Sequence, residues 1–383
     1  MTRTFARCFA VSALAFGVAQ AFAADLKIGF ISSLSGPVAA LGIPYEKGIR
    51  AAIAEHPVIA GHKVELIVLD DASDPTTAGR NARKLVVDDK VDVLIGTSGV
   101  PGAMAIAAVA RELNTPLISP TPVTLAPADA AWTVTVSQPF PLMVAAVVDS
   151  MKKAGVKTVG YIGFSDALGD LSYDSLLKAT GPAGIKVVAN ERYGRSDSSV
   201  AGQILKIVSQ HPDAVFAGNS GTPGALPYLA LAERGYKGRI YGTHGLINAD
   251  FVRVGGASIE GLEVPSGPVL VADQLPDSNP IKKVSMAFRA AYAKTNNGTV
   301  PTDAFSAYTY DAYLLLADAA ARAKGEPGTA QYRTALRDAI VSTKELVGTH
   351  GVYNFKAGGD GYGSDKRAVV IIKMEKGQWK LVP

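Results

Sequence analysis

From Asp25 onward, short apolar runs rich in β-branched residues alternate with longer stretches of helical periodicity. LKIGFISSL ends in a turn at Ser35-Gly36-Pro37, and a helix is expected from about Pro44 to Glu55. KVELIVLDD reads as the next strand. Asp74-Pro75 then opens a helix, with Asp74 suited to the N-cap and Pro75 to the first helical position. VDVLIG is a buried strand, followed by an alanine-rich helix from about Gly102 to Leu113, and TPLISP is a short fourth strand. Near-continuous apolar strands, each followed by a helix, indicate a parallel sheet covered on both faces.

The pattern then repeats. KTVGYIGF, IKVVANERY, DAVFAGN and GRIYGTHG read as strands, separated by the helical segments ALGDLSYDSLLKAT, SVAGQILKIVSQ and GALPYLALAERG. Two such sets fit two doubly wound lobes better than one sheet of about nine strands. TVSQPFPL, with Pro139 and Pro141, is a plausible first crossing between them. After Gly267 come three helices, about Ile281–Thr295, Ala304–Lys324 and Thr329–Ser342. The chain closes on a hairpin turning at Glu375-Lys376-Gly377. The late helices are expected on the first lobe and the hairpin on the second. That gives lobe I as 24–140 plus about 270–345, and lobe II as about 141–269 plus 346–383. Several parallel crossings suit a hinge that opens and closes while limiting twist.

The first residues form a leader. Arg3 and Arg7 precede an apolar run from Phe9 to Phe22, and Ala21 and Ala23 give the small-x-small pattern of signal peptidase sites. Cleavage is expected after Ala23, so 1–23 is a signal peptide and the mature chain is periplasmic. Ser12, Gly17 and Gln20 interrupt the run, and Asp25 and Lys27 follow at once, which argues against an anchor. The only cysteine, Cys8, lies in the leader, so disulfides, zinc thiolates and thiol catalysis are excluded from the mature chain. About 360 residues remain, enough for two ordinary domains. Lys and Arg number 38 against 34 Asp and Glu, without a basic run, so no nucleic-acid partner is expected.

In open parallel α/β sheets, ligands bind beyond the carboxyl ends of the strands, near helix N-termini. Those positions are Ser33-Leu34-Ser35-Gly36, Thr97-Ser98-Gly99 and Ser119-Pro120-Thr121 in the first lobe. In the second they are Ser165-Asp166-Ala167-Leu168-Gly169, Asn219-Ser220-Gly221-Thr222 and Thr243-His244-Gly245. Hydroxyls, glycines and free helix-start amides suit an anion, typically a carboxylate. At any single position the same residues also serve as helix caps. Phosphate-loop, H-E-x-x-H and G-x-S-x-G motifs are absent, and GGDGYG at Gly358–Gly363 reads as a turn. The five histidines, His56, His62, His211, His244 and His350, are scattered, so no metal site or cofactor is expected. An enzyme reading has one conceivable nucleophile–base pair, Ser220 and His244. Tyr161, Phe164, Tyr173 and Tyr193 fall near the second lobe's cleft loops, where each suits the core as well as a stacking role.

Several segments, in order, resemble the periplasmic leucine/isoleucine/valine-binding protein family: KIGFISSLSGPVAALG, DDASDP, VLIG, PLISP and GTHGVYNF. The resemblance spans nearly all of the mature chain. It implies a type I periplasmic-binding-protein fold, α/β, with two doubly wound parallel-sheet lobes joined by a multi-crossing hinge. It implies a binding protein that closes on its ligand and delivers it to an ABC permease in the cytoplasmic membrane, for which a monomer is the default. A receptor's sensory domain of the same fold would continue into a membrane helix, whereas this sequence ends at Pro383 after the hairpin. Presentation of ligand to a separate sensor remains an alternative.

Carried over position by position, the resemblance puts ligand-carboxylate contacts at Thr97–Pro101 and Ser119–Thr124, with Ser98, Thr121 and Thr124 as polar candidates; the strand ends add Ser35, Thr97, Gly99 and Ser119. It also marks departures. A serine becomes Val100; tyrosines become Leu41, Leu168 (followed by Gly169) and Ser220. The acid that pairs with the ligand ammonium becomes His244, and the family's cysteine pair becomes Ser73 and Gly99. A buried ammonium needs a counter-charge, which an imidazole cannot supply. The expected ligand is therefore a hydrophobic carboxylate without an amine, an aromatic acid or aryl 2-oxo acid. If Asp166 takes over the ammonium, the ligand is instead a branched-chain or aromatic amino acid.

Overall fold

The computed structural model describes residues 24–382, so the leader, its cleavage site and Cys8 lie outside the described residues. The first sheet is built from β1 (Leu26–Ser32), β2 (Val58–Ile59), β3 (His62–Asp70), β4 (Val93–Gly96), β5 (Leu117–Ser119) and β6 (Thr133–Thr135). Its spatial order is β2-β3-β1-β4-β5-β6, parallel throughout except for the short β2–β3 pairing. Between these strands run α1 (Ala39–Glu55), α2 (Pro75–Val87), α3 (Val100–Glu112) and α4 (Pro127–Ala130). β4, Val-Leu-Ile-Gly, is buried along its whole length, as a central parallel strand covered on both faces must be.

The second half supplies α5 (Phe140–Lys153), β7 (Thr158–Phe164), α6 (Ala167–Ala183), β8 (Lys186–Tyr193), α7 (Ala201–Val208), β9 (Ala214–Gly218), α8 (Leu226–Glu233), β10 (Arg239–Gly242), α9 (Ala249–Gly255) and β11 (Glu263–Ser266). There follow α10 (Pro280–Thr295), α11 (Phe305–Ala320), α12 (Ala330–Val341), the small pair β12 (Leu346–Val347) and β13 (Val352–Tyr353), and the hairpin β14 (Val370–Glu375) and β15 (Gln378–Leu381). The second sheet runs β15-β14-β11-β10-β9-β7-β8, with β14 antiparallel to both β11 and β15. The two lobes are thus α/β with parallel-dominated sheets, and the terminal hairpin closes an edge of the second.

α10, α11 and α12 share a core with α1 and β1, so the late helices cover the first sheet. Tyr353 and Phe355 lie in that same core and Tyr362 bridges Thr135 of β6, so the chain stays with the first lobe to about residue 362, beyond the boundary expected at 346. The cause is Asp311 of α11, which accepts hydrogen bonds from the Thr349 and His350 amides and the Tyr353 hydroxyl. Three segments pass between the lobes: Val136–Pro139, Ser266–Pro268, and the stretch from Gly363 to Val369. They converge on a buried group. Gln138 donates to the Ala368 carbonyl at 2.8 Å and accepts from the Tyr308 hydroxyl at 2.5 Å, while the His350 ring stacks on Tyr308 at 3.7 Å. A Cβ on Gly267 would collide with His350 Nδ1 and lie 2.8 Å from Gln138 Nε2, so this crossing requires glycine.

α1 begins at Ala39 rather than near Pro44, which lies inside it. Leu41 and Tyr45, one turn apart, are both buried, and their burial outweighs the helix cost of the proline. Gly42 between them brings the helix against the loop after β1. A Cβ there would collide with the Ser33 carbonyl, and the Ser32 hydroxyl donates to the Gly42 carbonyl at 2.9 Å. α2 is capped as expected, with Asp74 accepting from the Thr77 amide at 2.7 Å.

Candidate ligand cleft between the lobes

The carboxyl ends of both sheets face one narrow cavity. The first lobe contributes Leu41 and Tyr45 from α1, Ser98 to Val100 at the start of α3, Thr121 and Pro122 after β5, and Phe305 at the start of α11. The second contributes Leu168 from α6, Arg195 after β8, Ser220 after β9, and Thr243 to Gly245 after β10. Of the expected residues, Leu41, Ser98, Gly99, Val100, Thr121, Leu168, Ser220 and His244 share this wall.

Six others do not line it. Thr97 and Asp166 face an adjoining chamber of about 270 Å³, where the Thr97 hydroxyl donates to Asp71. The Ser35 hydroxyl is spent on Asp70 at 2.7 Å, bracing the loop after β1. Ser119 lies beneath the wall, donating to the Thr121 carbonyl at 2.8 Å and accepting from its amide. Thr124 is exposed beyond the wall. Gly169 is a packing position, because a Cβ would collide with the Phe164 carbonyl, and its own carbonyl accepts from the Tyr161 hydroxyl at 2.6 Å.

Arg195 was not expected, although it sits just past a strand end, where the other candidates were found. Its Nε donates to Asp166 Oδ2 at 2.6 Å and its Nη1 to Ser220 Oγ at 3.2 Å. The guanidinium lies 4.2 Å above the Phe164 ring, and Nη2 is buried without a partner. Asp166 caps α6, its Oδ1 accepting from the Leu168 and Gly169 amides at 2.9 and 3.2 Å. Both of its oxygens are therefore engaged. Tyr45 and Phe305, also unexpected, meet edge to face at 5.7 Å. Tyr45 was legible as the residue one turn beyond Leu41; no local pattern marks Phe305.

Tyr161, Phe164, Tyr173 and Tyr193 pack against one another, with centroids of 5.0 Å for Tyr161–Tyr173 and for Phe164–Tyr193. None lines the cavity.

His244 is 6% exposed, with its ring against Phe140, Phe305 and Tyr308 at 5.9, 6.5 and 6.4 Å. Nδ1 is buried without a partner. Desolvation lowers its pKa to about 4, so the imidazole is neutral at physiological pH. No hydrogen bond joins His244 to Ser220, whose oxygen accepts from Arg195 instead. Among the described residues, no group of three or more His, Cys, Asp or Glu is arranged to hold a metal ion, and no helix is long and apolar enough to cross a membrane.

Residues 25–362 match the model of a periplasmic binding protein family. The chain is 28% identical over 338 residues to a Leu/Ile/Val-binding protein homologue of Brucella melitensis, covering 85% of this chain and 87% of that one. A solved extracellular ligand-binding receptor from Rhodopseudomonas palustris superposes with a TM-score of 0.90 at 40% identity, over 94% of this chain and all of the other. A leucine-binding protein from Thermotoga maritima superposes at 0.81 with 26% identity, over 94% of this chain and 98% of its own. On the family match across the described chain, and on the two-lobed architecture that these relatives share, the chain belongs to the periplasmic binding protein family.

Proposed function

We propose that the mature chain is the extracytoplasmic substrate-binding protein of an ABC importer. It takes up a small hydrophobic carboxylate without an α-amine, an aromatic acid or an aryl 2-oxo acid, between its lobes. The observation that carries this reading is the Arg195 Nη2, buried in the cleft without a partner. A buried guanidinium with an unfilled donor edge suits a carboxylate far better than a neutral group. An ammonium has no comparable partner in the wall. Asp166 is consumed by Arg195 and two amides, and His244 is held neutral. This differs from the carboxylate position implied by the family resemblance, which lay on the first lobe.

The apolar wall of Leu41, Val100, Leu168, Phe305 and Pro122 supports an aryl or bulky alkyl body between the polar ends. The test is a thermal-shift panel on the ligand-stripped mature protein, comprising leucine, phenylalanine, phenylpyruvate and 4-hydroxybenzoate. A ligand at 100 times its Kd stabilises by about 2.7 kcal/mol. The expected result is a shift with an aryl or oxo acid and none with the matching amino acid, lost in Arg195→Gln. A larger shift with leucine or phenylalanine overturns the reading.

A further inference from the structure

The hydroxyl protons around the cavity can be assigned one by one, and the assignment divides the wall into unlike halves. Ser32 donates to the Gly42 carbonyl at 2.9 Å, so in its 2.9 Å contact with Ser98 it is Ser98 that donates. Ser98 also accepts from the Ser33 amide at 3.1 Å, which leaves it one lone pair and no free proton. Thr121 donates to the Thr97 carbonyl at 2.6 Å. The Tyr45 hydroxyl has the Pro120 carbonyl at 3.1 Å and Thr121 Oγ1 at 3.4 Å, so its single proton is already placed. The hydroxyls of the first lobe thus turn only lone pairs toward the cavity.

The second lobe is the reverse. Arg195 Nη2 carries two unplaced protons, and Ser220, which accepts from Arg195, retains its own. Thr243 is spent on the Asn219 carbonyl. Neutral His244 has one N–H and one bare nitrogen, and takes either part.

These halves also lie at different depths. Arg195 lines the central cavity and two side chambers of about 270 and 470 Å³, which places it on the mouth side. Tyr45, Thr121, His244 and Phe305 line only the central cavity, and the His244 ring reaches back to Tyr308 at the crossing segments.

Building on the carboxylate reading above, we propose that the bound acid is bipolar. Its carboxylate meets Arg195 and Ser220 on the second lobe, and its far end carries a hydrogen-bond donor, a hydroxyl or N–H, received by Thr121 and Tyr45 on the first. A hydroxyl there donates to the Thr121 or Tyr45 oxygen and accepts from the His244 N–H. An ether or a second carboxylate at that position faces lone pairs. For Thr121 or Tyr45 to turn its proton toward such a group, a buried carbonyl must be left unpaired.

The experiment is calorimetric titration of the ligand-stripped protein with 3-phenylpropanoate, its three ring-hydroxylated isomers and the corresponding methyl ethers. At least one hydroxy isomer binds about tenfold or more tightly than both the parent acid and its ether. That ratio falls toward one in Thr121→Val and in Tyr45→Phe, and is restored in Thr121→Ser, which controls for folding. In Arg195→Gln, parent and hydroxy acids weaken by the same factor. Equal affinity of all hydroxy isomers, ethers and parent in the wild type overturns the bipolar ligand alone, as does a ratio that survives both first-lobe variants. If no aryl acid binds while leucine does, the carboxylate reading falls and takes this one with it.

Discussion

Arg195 and Asp166 meet through one contact, Nε to Oδ2 at 2.6 Å, which neutralises the guanidinium while leaving Nη2 without a partner. Asp166 acts as a positioning residue: one oxygen fixes the arginine and the other fixes the start of α6. In Asp166→Asn the side chain still caps the helix, but its amide meets Arg195 Nε donor to donor. Carboxylate affinity is expected to fall about tenfold, roughly 1.4 kcal/mol, with little change in the melting temperature of the ligand-free protein. Unchanged affinity in titration calorimetry would show that the pair does not orient the arginine.

Gly221 sits where the two lobes touch. Its φ is +66°, and a Cβ there would meet the Pro37 carbonyl of the opposite lobe at 3.3 Å and Leu41 Cδ1 at 3.5 Å. Gly221→Ala therefore costs about 1–3 kcal/mol in backbone strain and also wedges the lips of the cleft. Weaker ligand binding and a larger radius of gyration with ligand present, by small-angle scattering, are expected. A variant as compact as the parent at saturating ligand contradicts this.

Gln138 is the tie among the crossing segments. Replacing it with leucine leaves the Ala368 carbonyl and the Tyr308 hydroxyl buried without partners. A loss of about 2–4 kcal/mol in urea denaturation is expected. A loss below about 1 kcal/mol would mean that the segments hold together without it.

Acid sensitivity follows from three buried groups near the hinge. Desolvation lowers His244 to about 4 and His350 to about 3, and raises Asp311 to about 6. Between pH 6.5 and 4 the unfolded histidines bind protons that the folded ones refuse, so their contribution is complete above about 6.5 and is lost on acidification. Asp311 runs the other way: its contribution is present below its unfolded pKa of 3.8 and is lost as pH rises through 6. Two histidines against one aspartate leave a net fall of about 1 kcal/mol per pH unit near pH 5. Denaturant titrations at pH 7, 6 and 5 test this. Asp311→Asn removes the opposing contribution and should fall more steeply than the parent.

The alternation of strand and helix was readable because β4 and its neighbours are continuous apolar runs. The terminal hairpin was readable from its Lys376-Gly377 turn. The three-residue β6 and the Pro-containing β11 were not, since each is held by its neighbours rather than by its own pattern. In the cleft, the strand-end rule located Ser98, Thr121, Ser220 and His244. It could not separate Ser35, Thr97 and Ser119, whose hydroxyls are spent on neighbours, because a hydroxyl's partner is a tertiary fact. Arg195 lies at an equally predictable place. A pattern of hydroxyls and glycines does not mark it, because its role depends on Asp166, 29 positions earlier.

The lip between Pro37 and Gly221 also offers an optical handle. The sequence has one cysteine, at position 8, ahead of every described residue. A thiol introduced at Thr222, next to Gly221, would be the only one in a chain freed of its leader. Thr222 and Pro37 wall the same rim chamber of about 470 Å³, so a solvatochromic dye attached there would be enclosed when the lobes meet and wetted when they part. The protein's own closure would then be read as colour, with no chemistry at the ligand.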